Sequence, residues 1–81
     1  MHKSRIRLTI DNGLEDIESL KEYGRIGLRQ IKIQRITDEA IEQERVLSQK
    51  DISKYLSISI RTVKRDISQI RIRGIEVITR G

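Results

Sequence analysis

The stretch LSQKDISKYLSISIRTVKRDISQI, residues 47–70, decides the fold. Ser48 followed three residues later by Asp51 resembles a capping box in which Asp replaces the usual Glu. Leu47, directly before the cap, can act as a hydrophobic staple. These signals predict a short helix over residues 49–56.

A second helix with one apolar and one basic side follows the connection SIS. Ser59 can cap it, and Val63, Ile67 and Ile70 lie on one face at i, i+4 and i+7. Two short helices joined by about three residues, the second basic on its outer side, form the helix-turn-helix pattern. In that pattern the first helix braces across the DNA backbone and the second enters the major groove.

The residues of this stretch resemble a known family. TVKRDI, residues 62–67, matches in order the recognition helix T-[IV]-[RK]-R-D-[LI] of DeoR-type transcription regulators, and the likeness extends over 47–78. It implies a winged helix-turn-helix that binds double-stranded DNA, with Gly74 and a wing strand after the helix. The whole chain also resembles an uncharacterised archaeal and bacterial domain family in which a strand and a helix precede RITDEA, the helix-turn-helix and TRG.

Two positions depart from the DeoR-type pattern. Ser57 occupies the turn position usually given to Gly, which favours φ > 0. The wing is incomplete, because only residues 75–79 alternate as a strand and the quoted chain stops where a hairpin tip would begin. Either the protein is part of a longer one, or residues 5–10 or the RVL segment pair with 75–79 instead.

The first half of the chain predicts a strand followed by helices. RIRLTI, residues 5–10, alternates as a strand with one buried face, and Gly24 is expected to end a short helix carrying Leu14, Ile17 and Leu20. Residues 25–45 are again helical, with apolar residues on two faces, and Thr37 could cap a kink or break within them.

The expected fold class is mainly α with a small β component, a winged helix-turn-helix of three to four helices plus an N-terminal strand and a partial wing. We expect one domain over 1–81. Residues 1–47 form the strand and scaffold helices, 48–73 the helix-turn-helix and 74–81 the partial wing.

The charge of the chain is divided between its halves. The net charge is +5. Residues 1–47 hold nine cations and nine acids, whereas residues 48–81 hold eight cations and three acids. The whole excess lies around the second helix, which favours a module that faces a polyanion over a uniformly basic surface.

The candidate DNA-binding residues follow from this pattern. Arg61, Lys64 and Arg65 are candidates for the groove, where Arg can bind a guanine edge and any of the three can contact phosphate. Gln49, Ser59 and Thr62 suit phosphate contacts near helix N-termini, although Ser59 suits plain capping at least as well. Further contacts from the wing region are predicted for Arg71, Arg73 and Arg80. Asp66 would repel phosphate and is expected to orient Arg65, Lys64 or a backbone group.

The composition argues against other classes of function. The chain has no Cys and one His, at position 2, so the sequence predicts no metal site and no cofactor. Its acids form helix-surface runs without a paired base or nucleophile, which predicts no enzyme. Two Tyr and no Phe or Trp offer little to stack on unpaired bases. Without a membrane span or a small-molecule site in the sequence, we expect a cytoplasmic, nucleoid-associated protein.

Alternatives for function and for assembly stay open at this stage. Winged helices also serve as protein–protein interaction modules, and the chain could be the DNA-binding part of a transposition or replication protein rather than of a transcription regulator. The two apolar faces of residues 25–45 also suggest a homodimer through Leu28, Ile31 and the N-terminal strand. The short helix before Gly24 could instead cover those residues within one chain.

Overall fold

The computed structural model describes residues 5–80 and shows three helices: α1 (Gly13–Glu42), α2 (Gln49–Leu56) and α3 (Ile60–Ile72). Within this range there is no strand or sheet, and the one β-type pairing is an isolated parallel bridge between Ser48 and Arg80. The predicted winged helix-turn-helix with an N-terminal strand and a partial wing was therefore wrong in its β component.

The first helix reverses direction at Gly24. This residue has φ 77° and ψ −176°, a non-helical conformation inside the 30 residues of α1. Arg35 nevertheless binds the carboxylate of Asp16, 19 residues earlier. A straight helix would hold these residues about 28 Å apart. We call residues 13–23 the N-terminal arm of α1 and residues 25–42 its C-terminal arm; the two lie against each other.

The C-terminal arm runs through Thr37 without a break, so the kink considered there does not occur. The Thr37 hydroxyl donates to the carbonyls of Ile33 at 2.9 Å and Gln34 at 3.0 Å. A Thr in a helix can satisfy its hydroxyl in this way, which removes the need for a capping role.

The core lies between the C-terminal arm of α1 and the pair α2 and α3. Its buried side chains are aliphatic, as the composition predicts: Ile33, Ile36, Ala40, Leu47, Ile52, Val63, Ile67, Ile70 and Val77. Ile26 and Ile41, which the helical pattern places on the same face of α1, are exposed. Tyr55 of α2 is also exposed.

Residues 5–10 are extended but pair with side chains of α1 instead of a strand. The Gln43 amide accepts from Arg7 N–H at 2.8 Å and donates to Arg7 C=O at 2.7 Å. Glu39 accepts from Thr9 N–H at 2.6 Å, and Arg35 donates to Thr9 C=O at 2.8 Å. Four residues of helix and two residues of extended chain both span about 6–7 Å, so the two rows match. The alternation therefore marks the inward side chains correctly but not a sheet.

Residues 75–80 pass back over the start of α2 and form no wing. Arg80 N–H donates to Leu47 C=O at 2.9 Å, and the Arg71 guanidinium donates to Val77 C=O at 2.6 Å. Neither alternative for residues 75–79 occurs, because no strand pairs with them and the single bridge joins Ser48 to Arg80. Val77 is buried in the core all the same.

Candidate nucleic-acid interface

The start of α2 is fixed by the predicted capping box. Ser48 Oγ accepts from Asp51 N–H at 3.0 Å, and Asp51 Oδ2 accepts from Ser48 N–H at 2.9 Å. The bond from the Ser48 backbone lowers the pKa of Asp51 below its ordinary value, and Arg80 adds to this effect. Asp51 is thereby engaged by its own helix and by Arg80, 3.0 Å away.

The turn between α2 and α3 uses Ser57 in a left-handed conformation. Its φ is 54° and its ψ 46°, the region for which Gly is the usual choice. The Ser57 and Ile58 N–H groups donate to the carbonyls of Lys54 and Ser53, and the Ser53 hydroxyl donates back to Ile58 C=O. The departure from Gly is thus accommodated without lengthening the turn, which spans residues 57–59.

Ser59 caps α3. Its Oγ accepts from Thr62 N–H at 3.1 Å and donates to the Thr62 hydroxyl at 2.9 Å. The capping interpretation of Ser59 is confirmed. Thr62 is half-buried beside it, so both hydroxyls are engaged at the N-terminus of α3.

The inner and outer faces of α3 are sharply different. Val63, Ile67 and Ile70 are buried against the core, as predicted. Arg61, Lys64, Arg65 and Ser68 are exposed and lie on the opposite side at helical spacing. Among the described residues, the side chains of Arg61, Lys64 and Arg65 make no hydrogen bond or ion pair. We call these three residues the basic face of α3.

The single acid of α3 faces inward. Asp66 is 0% exposed and accepts hydrogen bonds from both Nε and Nη2 of Arg29. The distance from Nη2 to Oδ1 is 2.9 Å. This carboxylate raises the pKa of the Arg29 guanidinium. Asp66 was expected to orient Arg65, Lys64 or a backbone group, and that expectation was wrong. The basic face of α3 consequently contains no carboxylate.

A buried amide extends this contact between α1 and α3. Gln30 Nε2 donates to Asp66 Oδ1 at 3.2 Å and to Gln69 Oε1 at 2.7 Å. No buried side-chain nitrogen or oxygen of the described residues lacks a partner. Two side chains of α1, Arg29 and Gln30, and two of α3, Asp66 and Gln69, thus fix the rotation of α3 about its axis, with its cations turned outward.

Sequence reasoning missed Arg29 and Gln30 as partners of the candidate site. One signal for Asp66 was present, since it lies three residues after Val63 and four before Ile70, on the buried side of the helix. No local pattern distinguishes Arg29 from the other exposed cations of α1, because its partner is 37 residues away.

The other candidates are divided by the structure. Gln49 is half-buried in the first turn of α2, beside exposed Lys50. Arg71 and Arg80 were predicted to contact DNA from a wing. In the structure Arg71 donates to the Val77 carbonyl, and Arg80 donates to the Val46 carbonyl and to Asp51. Arg73 ends α3 and lines a cavity of about 530 Å³ against α1, away from the basic face of α3.

Within residues 5–80 no group of His, Cys, Asp and Glu could hold a metal ion. The single His, at position 2, lies outside the described residues. None of the described helices has the length and apolar character needed to cross a membrane.

Comparison with known proteins gives one match. A family model described as a protein of unknown function (DUF1670) matches residues 1–81. No curated protein and no solved structure matches the chain.

Proposed function

The chain belongs to the DUF1670 family, whose function is unknown, and we propose that it binds double-stranded DNA through the basic face of α3. The observation that carries the proposal is the burial of Asp66 on Arg29. It leaves Arg61, Lys64 and Arg65 exposed on a helix whose only acid is turned away from them.

The charge around this face supports a polyanionic partner. Lys50 and Lys54 are exposed on α2, and Asp51 is occupied by Ser48 and Arg80. Glu76, the remaining acid of the second half, instead lines a groove with Asp38 and Glu42 of α1. Apart from Arg71, which donates to Val77 C=O, five cations therefore lie on α2 and α3 without a free acid on either helix, and such a surface attracts phosphate.

The shape of α3 supports a duplex partner. The major groove of B-DNA is about 12 Å wide, which admits one α-helix with its side chains. α3 has 13 residues and an exposed outer side, and α2 precedes it after a three-residue turn. The described residues expose two Tyr and no other aromatic ring, which does not suit stacking on single strands.

Individual roles follow from exposure. Arg61 and Arg65 can reach base edges with two parallel N–H donors, whereas Lys64 provides a point charge suited to phosphate. Gln49, Lys50 and Lys54 of α2 suit phosphate contacts. Arg71 is occupied by the C-terminal segment and Arg80 by Val46 and Asp51, and neither is part of the proposed interface.

The DeoR-type likeness of residues 62–67 favours one form of this proposal, a non-enzymatic transcription regulator associated with the nucleoid. A role as the DNA-binding part of a transposition or replication protein would use the same surface. A protein-interaction module is the alternative of a different class, and it requires no dependence on phosphate charge.

A salt titration of duplex binding tests the proposal. With five cations each neutralising about one phosphate, log K should fall with log salt at a slope of about −4 to −5 per bound protomer. Electrophoretic mobility or fluorescence anisotropy with a randomised duplex measures it. Absence of binding at low salt would overturn the DNA proposal and favour the interaction module.

A pair of charge-matched variants locates the interface. Arg65→Ala should weaken duplex binding, either at one base position by about 1–3 kcal/mol or uniformly with a slope shallower by about one unit. Arg7→Ala removes an exposed cation from the N-terminal segment and should leave both quantities unchanged. Equal losses in the two variants would mean that binding follows net charge and not the basic face of α3.

A further inference from the structure

The N-terminal arm of α1 has its polar side inward and its apolar side outward. Asp16 is 5% exposed and is held by Arg35 at 2.8 Å, whereas Leu14, Ile17 and Leu20 are 69%, 52% and 42% exposed. Residues three apart are neighbours on a helix surface, so these three form one apolar strip. An amphipathic helix normally turns such a strip to the core, and an exposed strip of this kind marks an interaction surface.

The strip leads into a groove between α1 and the turn after α2. Leu20 belongs to both, and the groove has a cavity volume of about 330 Å³. Its other apolar lining residues are Ile10, Leu28, Leu56 and Ile58. Three cations, Arg25, Arg29 and Lys32, also line it, and we call them its rim. Arg29 is bound to Asp66 and Lys32 lies 4.0 Å from Asp16, so the exposed Arg25 is the rim cation that makes no ion pair among residues 5–80.

The strip and the groove have complementary charges. Glu18 lies four residues after Leu14, at the edge of the strip, and is exposed, and the rim of the groove is cationic. One protomer thus carries both the strip and the groove that it fits. Such a surface is self-complementary, which is the condition for a two-fold symmetric interface.

We propose that this protein is a homodimer in which the N-terminal arm of each copy packs its strip into the groove of the other, with Glu18 facing the partner's cationic rim. The proposal does not depend on DNA binding. Leu28, which the sequence predicted at a dimer interface, lines the groove. Ile31, also predicted there, lines cavities on the other side of the C-terminal arm and takes no part.

Sedimentation velocity of the full chain at 1–100 µM, on the order of the concentrations at which standard-sized interfaces associate, tests the proposal. The wild type should sediment as a dimer. Ile17→Glu places a charge in the strip and should raise the dissociation constant at least about tenfold. Ile78→Glu is the matched control, because Ile78 is 46% exposed on the C-terminal segment and lines a different groove, and it should remain dimeric. Circular dichroism checks that each variant is folded.

A charge exchange tests the orientation. Arg25→Glu and Glu18→Arg should each weaken the dimer several-fold, because each brings like charges together, and the double variant should recover wild-type association. A monomeric wild type at the highest concentration would overturn the proposal, and so would a dimer indifferent to Ile17→Glu. Failure of the double variant to recover would overturn the pairing of the strip with the rim.

Discussion

Asp66 is the residue on which the candidate interface depends. A carboxylate in a cationic helix would ordinarily weaken attraction to phosphate, yet here it is buried on Arg29 and Gln30. The same side chain thus removes negative charge from the outer face and ties α3 to α1. The role of Asp66 in orienting α3 can be measured apart from its role in stability. A variant of Arg29 changes the contact that orients α3 but leaves Arg61, Lys64 and Arg65 in place.

Removing the partner of Asp66 should be costly. Arg29→Met leaves a buried carboxylate uncompensated and should lower the free energy of unfolding by about 3 kcal/mol, the low end for buried ion pairs because Arg29 keeps some solvent contact. Urea unfolding followed by circular dichroism measures the change.

An exposed cation of α3 supplies the control for that measurement. Arg65→Met should alter the free energy of unfolding by no more than about 0.5 kcal/mol, as is usual for surface positions. A loss in Arg29→Met as small as the control's would show that the contact with Asp66 does not hold α3 in place.

The stability of the protein should depend on pH through two carboxyl groups, one at the reversal in α1 and one at the start of α2. Hydrogen bonding from Arg35 lowers the pKa of Asp16 below its ordinary value, and the Ser48 backbone does the same for Asp51. A carboxyl with a lower pKa in the folded protein binds fewer protons there than in the unfolded chain. The resulting stability is present above about pH 4, the unfolded value, and is lost as the pH falls below it.

Asp16→Asn should therefore reduce stability at pH 7 and make the loss between about pH 5 and 2 shallower than in the wild type. Thermal or urea unfolding across that range measures both effects. Asp38→Asn is the control, since exposed Asp38 makes no ion pair within residues 5–80, and it should follow the wild-type profile. An unchanged acid slope in Asp16→Asn would exclude the Arg35 contact as the source of the pH dependence.

Short-range signals predicted the helices better than the extended segments. The capping box at Ser48, the Ser59 cap and the buried side of α3 each depend on residues within one or two turns, and each is confirmed. The segments 5–10 and 75–80 carry the alternation of strands, but their neighbours are a helix and a helix start. Alternation reports which side chains are buried and says nothing about whether the backbone partner is another strand.

At the scale of the whole molecule, the two proposed surfaces make a joint prediction. A dimer with two basic faces of α3 should show a salt slope about twice that of one protomer, near −9, if both faces contact the same duplex. Ile17→Glu should halve that slope and weaken binding, while Ile78→Glu should not. Salt titration of both variants by fluorescence anisotropy measures this.

The two possible results of the salt titration of Ile17→Glu lead to different conclusions. A halved slope with residual low-salt binding supports both surfaces together. An undiminished slope in a monomeric Ile17→Glu variant would show that one protomer alone neutralises all the phosphates, which contradicts the joint arrangement.

The distribution of charge was visible from composition, whereas the relation between the two halves was not. Counting residues placed the cationic excess after residue 47. The contacts Arg29–Asp66 and Arg35–Asp16 link residues 37 and 19 positions apart, and several equivalent Arg and Asp were available for each. Only the packing of α1 on itself and on α3 selects these pairs.

The row of α1 side chains that holds residues 7–9 also limits its own length. Each four-residue step along a helix overshoots a full turn by about 40°, so a row at positions 43, 39 and 35 winds away from a straight neighbour. By the third member the divergence is about 80°, and Arg35 reaches back to the carbonyls of Thr9 and Ile10 rather than on to position 11. The helix row and the segment therefore agree in rise along the chain but part in direction, and the chain bends at Ile10, before a third match at position 11 could form.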